Sequence, residues 1–71
     1  LTYHEKQELA GIEQTILDAE EQVARLQEAI NGPGFYGRDF TETQAVLQRL
    51  KEAEAEVARL YQRWEALETG R

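Results

Sequence analysis

The chain offers few residues that could do covalent or metal chemistry. His4 is the single histidine, and with Glu8 one turn later it supplies half a metal site at most. No cysteine is present, so neither a thiolate metal site nor a disulfide framework can form. The many Asp and Glu side chains fall on solvated helix faces, without the desolvation that tunes a general acid or base. Asn31-Gly32-Pro33-Gly34 is not a phosphate loop, because no strand precedes it and no Gly-Lys-Ser/Thr follows. No catalytic, cofactor-binding or metal-binding residue is therefore predicted. What is left is contact chemistry. Phe35 and Tyr36 stand beside Arg38, and Arg49, Lys51, Arg59 and Arg63 follow along the next segment. Aromatics interleaved with arginine can stack on bases and touch phosphates. The same aromatics can equally serve as packing, and the same bases as a solvated face.

Two segments position these residues. Helix breakers cluster only at Asn31–Gly37, which holds the one proline together with Gly32, Gly34 and Gly37. Before this break, Leu9, Ile12, Ile16, Ala19, Val23, Leu26 and Ile30 recur in alternating steps of three and four. After it, Val46, Leu50, Ala53, Val57, Leu60, Trp64 and Leu67 do the same. These are the a and d positions of heptads. Folding the chain back at the break pairs Ile30 with Val46, Leu26 with Leu50, and so on to Leu9 with Leu67. Every pair of numbers sums to 76. The agreement of register, phase and length predicts an all-α fold, an antiparallel two-helix coiled-coil hairpin. Trp64 is expected in the seam against Ile12.

Local signals set the expected boundaries: a helix over about 3–30, a tip loop over 31–41 and a helix over about 42–68. Thr2-Tyr3-His4-Glu5 has the form of a capping box. Helix 2 carries two overlapping start signals, Asp39-x-x-Glu42 and Thr41-x-x-Gln44, of which Thr41 is favoured, with Phe40 and Ala45 as an apolar staple. An Asp39 cap would lengthen the helix by two residues. Phe35, Tyr36 and Phe40 are expected to fold over the open end of the seam. At the flanking e positions, Lys6 faces Glu68, Glu13 faces Tyr61, Gln27 faces Leu47, and Glu20 faces Glu54 unfavourably. Tyr61 and Leu47 broaden the apolar stripe of helix 2, either to cover the seam or to dock another domain.

Charge is unevenly placed within a net of −6. Residues 1–30 carry seven acids against Lys6 and Arg25, so helix 1 repels phosphate. Residues 42–71 carry six acids against five bases. No apolar run approaches the roughly 18 residues of a membrane span, and the opening residue is Leu1 rather than Met, as expected for one domain, 1–71, excised from a larger chain.

Three anchors carry a resemblance. The opening Leu1-Thr2-Tyr3-His4-Glu5-Lys6-Gln7-Glu8-Leu9, the tip Pro33-Gly34-Phe35-Tyr36 and the close Arg63-Trp64-Glu65-Ala66-Leu67-Glu68 resemble the C-terminal coiled-coil domain of ABC-F ATPases, Uup type. That family looks like Leu-Ser/Thr-Tyr-Lys-x-x-x-Glu-Leu, Pro-x-Phe-Tyr and Arg-Trp-x-x-Leu-Glu in the same order. This chain departs from it at Glu13, where many relatives carry proline, and at Asp39-Phe40, where the family often reads Asp-Pro. The resemblance implies a parent with two ATP-binding cassettes, hence ATP and magnesium outside this domain, and no membrane domain. It implies a cytoplasmic location, action on ribosomes and a DNA-binding tail. The domain would then be a non-catalytic arm, contacting DNA or ribosomal RNA through Arg38, Phe35, Tyr36, Arg49, Lys51, Arg59 and Arg63. It would be tethered to the cassettes of its own chain and monomeric. Its acidic balance implies weak, salt-sensitive binding in isolation.

Two alternatives stand beside this one. The C-terminal coiled coil of valyl-tRNA synthetases is similar in length, with an Asn-x-x-Phe tip. A purely structural, protein-docking hairpin fits the acidic helix 1 and the apolar e positions. Exchange of helices between two chains through the tip would satisfy the same seam in a dimer.

Overall fold

The computed structural model describes every residue, Leu1–Arg71. Two helices, α1 (Tyr3–Asn31) and α2 (Phe40–Thr69), run antiparallel and are joined by a single 3₁₀ turn at Phe35–Gly37. The hairpin is a rod of 50 × 16 × 15 Å.

α1 begins where local chemistry dictates. Thr2 Oγ1 accepts the Glu5 amide at 3.2 Å, and the Thr2 amide donates to Glu5 Oε1 at 3.0 Å, a complete capping box. The helix passes through Gly11 without interruption. It ends at Asn31, and the Gly32 amide closes on Ala29 O at 3.4 Å. Gly34 then takes φ 79°, the left-handed region that a side chain resists, and aims the chain back.

α2 begins two residues earlier than the favoured sequence signal placed it. Asp39, not Thr41, is the cap: its carboxylate accepts the Thr41 amide at 3.1 Å. The tip is accordingly 32–39 rather than 31–41, and no staple forms between Phe40 and Ala45, because Phe40 is already the first helical residue. Thr43 lies in the first turn of this earlier start. It lies at an a position, one step of three before Val46, and is buried, with Oγ1 donating to Phe40 O at 2.9 Å. Its amide donates to Asp39 O at 3.1 Å, the first backbone bond of the helix, which makes Phe40 the first helical residue. At the far end Gly70 caps the helix, its amide reaching Ala66 O and Leu67 O.

All fourteen seam residues are buried or half-buried, as the heptads require. The deepest core lies toward the termini, where Ile12, Ile16, Leu60 and Leu67 are packed with Leu9, Ala19 and Trp64 around them. Trp64 thus meets the Ile12 cluster, although its indole Nε1 is buried without an acceptor. Toward the tip Val23, Leu26, Ile30, Val46 and Leu50 stay half-exposed, since two helices cannot enclose a seam on all sides. A second buried point closes that end: Phe35 with Thr43.

Candidate nucleic-acid interface

The tip separates its three aromatics. Phe35 is only 2% exposed and sits edge-on to Tyr36, with ring centroids 4.9 Å apart and planes at 89°. It is core, and no base can stack on it. Tyr36 and Phe40 are each 74% exposed. The expectation that all three fold over the seam end therefore holds for Phe35 alone. The 3₁₀ turn that follows Gly34 directs one ring inward, and Tyr36 and Phe40 project on the outside. Arg38 lies between them in sequence, in extended backbone, and no carboxylate reaches salt-bridge distance of it. Its neighbour Asp39 is engaged in capping.

The basic residues of α2 divide in the same way. Arg59 is held by Glu56, with Nε to Oε2 at 2.9 Å and Nη2 to Oε1 at 2.5 Å. Arg63 is held by Glu8 of α1, Nε to Oε2 at 2.7 Å and Nη2 to Oε1 at 2.8 Å. These bidentate bonds lower the Glu56 and Glu8 carboxyls below 4.5 and raise both guanidinium values. Arg49 and Lys51 are exposed and without a carboxylate partner. Two residues apart on a helix, they point about 160° away from each other. Arg49, Arg59 and Arg63 share one flank with acids between them, and Lys51 lies on the other. The seven predicted contact residues thus do not form one basic face. Arg38 and Tyr36 adjoin at the tip, Phe35 is withdrawn, and the rest are dispersed or neutralised.

His4 is exposed, its ring edge-on to Tyr3 at 6.0 Å, and Glu8 is committed to Arg63. No three His, Cys, Asp or Glu side chains are grouped to hold a metal ion. Neither helix is long and apolar enough to cross a membrane.

The family model of the ABC transporter C-terminal domain matches residues 1–69, nearly the whole rod. The chain belongs to that family. Among curated proteins, the ATP-binding protein Uup-like of Haemophilus influenzae is 35% identical over 68 residues, 96% of this chain and 15% of the relative. The ATP-binding protein Uup of the same organism is also 35% identical over 68 residues, covering 96% of this chain and 10% of that protein. The domain is therefore of the ABC-F, Uup type, and it spans no more than 15% of the relatives it matches. No solved structure matches it.

Three features of the domain escaped the sequence reading. Phe40, expected in the packing of the tip, stands at the e position one heptad before Leu47, outside the seam. Glu8 and Arg63 both occupy g positions, a flank that the e-position pairs leave out. At the e positions, Tyr61 donates to Glu20 at 3.0 Å rather than to Glu13, and Glu68 pairs with Arg71 rather than with Lys6. The Tyr61 hydroxyl thus reaches a carboxylate one heptad beyond the residue it faces in the e-position register.

Proposed function

We propose that this domain is a non-catalytic arm of an ABC-F type ATP-binding protein, and that its tip contacts nucleic acid, either DNA or ribosomal RNA. ATP and magnesium belong to the cassettes of the parent, outside this domain. One observation carries the reading: Tyr36 and Phe40, which flank the unpaired Arg38 in sequence, are large aromatics left 74% exposed at the tip of a 50 Å rod. Tyr36 meets only the edge of Phe35 and leaves most of its surface in water, whereas each base stacked on such a ring is worth about 1–3 kcal/mol. Arg38 adds one phosphate contact. The acidic body opposes further ones, so affinity is low and the salt slope shallow, near one or two released counterions. The family match over residues 1–69 favours this parent over a valyl-tRNA synthetase.

The test is an NMR titration of the labelled domain at low salt with duplex DNA, single-stranded DNA and a structured RNA. Shifts at residues 34–40 are expected with at least one of them. Tyr36→Ala should weaken binding about tenfold, and Arg38→Ala should reduce the salt slope by about one. No shift with any of the three, or shifts that avoid the tip, would overturn the reading.

A further inference from the structure

The two flanks of the seam are chemically unlike. On the flank of Arg63, the carboxylates of Glu8 and Glu56 are each held by an arginine. On the opposite flank Glu13, Glu20 and Glu54 make no salt bridge, although Glu13 shares the terminal groove with Lys6 and Arg71, and Glu20 accepts only the Tyr61 hydroxyl. Between these acids the surface is apolar. Leu17 is 59% exposed at a b position, and Tyr61 is 44% exposed at an e position. With Ile16 and Trp64 they line a groove of about 250 Å³. Beyond Glu20 it adjoins a second groove of about 420 Å³, floored by Val23 and Val57 and walled by Ala24 and Ala58.

This stripe is wider than a two-helix seam needs. Ala10, Leu17 and Ala24 repeat at the b position of α1, so its apolar arc extends past a and d in the manner of a helix with neighbours on two sides. From Glu13 to Gln27 the channel follows α1 for about 21 Å, the length of some fourteen helical residues. The alanines let another backbone come close.

We propose that this flank docks a basic amphipathic helix of a protein partner, whose apolar stripe enters the channel and whose Lys or Arg side chains meet Glu13, Glu20 and Glu54. Charge selects the occupant. A second copy of the chain would set the same three carboxylates against each other, and a phosphate backbone would face them directly. A cationic helix would neutralise Glu20 and Glu54, which line the same groove and make no salt bridge within the hairpin. The site is independent of the tip.

The test titrates the labelled chain with a synthetic fifteen-residue helix, leucine at a and d and lysine at the flanking positions, beside a control with glutamate for every lysine. Shifts at Leu17, Ala24, Ala58 and Tyr61 are expected with the lysine peptide only. Leu17→Ser should weaken binding about tenfold, and so should the combined Glu20→Gln and Glu54→Gln. Tyr36→Ala should leave peptide binding unchanged, and Leu17→Ser should leave nucleic-acid binding unchanged, so the two surfaces succeed or fail separately. The proposal is overturned by any of four results. These are no shift, shifts centred on Glu8 and Arg63, equal binding of the glutamate peptide, or concentration-dependent self-association that perturbs the Leu17 strip without peptide.

Discussion

Replacing Phe35 with alanine should cost the hairpin a large part of its stability. The ring is 2% exposed, so nearly all of an aromatic surface of about 150–200 Å² is withdrawn from water. At about 25 cal/mol per Å² that is an upper bound of about 4–5 kcal/mol, in line with the roughly 3–5 kcal/mol seen for buried Phe→Ala. A domain of this length is stable by about 4–10 kcal/mol. With about 4–8 °C lost per kcal/mol, the melting temperature should fall by at least about 12 °C. Tyr36→Ala is the control. It loses the edge-on contact, about 0.5–1.5 kcal/mol, but little burial, so its melting temperature should fall by less than half as much while nucleic-acid affinity drops. Thermal unfolding followed by circular dichroism decides between them. A Phe35→Ala melting temperature within about 4 °C of the parent would refute the placement of this ring in the core. So would a Tyr36→Ala variant destabilised to the same degree.

Other outcomes follow from the caps, the turn and the titrating groups. Asp39→Ala should destabilise by about 1 kcal/mol in urea unfolding, whereas Thr41→Ala should be near neutral; the reverse order would restore Thr41 as the cap. Gly34→Ala must hold a side chain at φ 79° and should cost about 1–2 kcal/mol by the same measurement. The Glu8 carboxyl is lowered from 4.5, first by its hydrogen bonds from Arg63. A depressed folded value means that this contribution is complete above 4.5 and is lost as pH falls through the lowered value. The urea midpoint of the parent should therefore fall more steeply below pH 4.5 than that of Glu8→Gln, and parallel curves would count against the pair. The Tyr61 phenol is raised above 10.0, chiefly by its bond to Glu20, so Glu20→Gln should bring its spectroscopic titration down toward 10.0.

The amino-acid sequence by itself determined the seam, its register and the first cap. Heptad spacing is counted along one dimension, and two mirrored segments with a single breaker cluster between them leave one way to fold back. The capping box is equally local, since Thr2 and Glu5 need only each other. The Asp39 cap was also within reach, because Asp39-x-x-Glu42 is one of the two start signals in the chain. The tertiary structure alone decided the rest. Which ring of the tip turns inward depends on the left-handed step at Gly34 and the 3₁₀ turn that follows it. Which arginines are free depends on partners such as Glu8, 55 residues from Arg63, brought opposite by the rotation of two rods about their axes. Apolar spacing constrains that rotation only to within the width of the stripe, and the charged flanks are settled by side chains that reach across it.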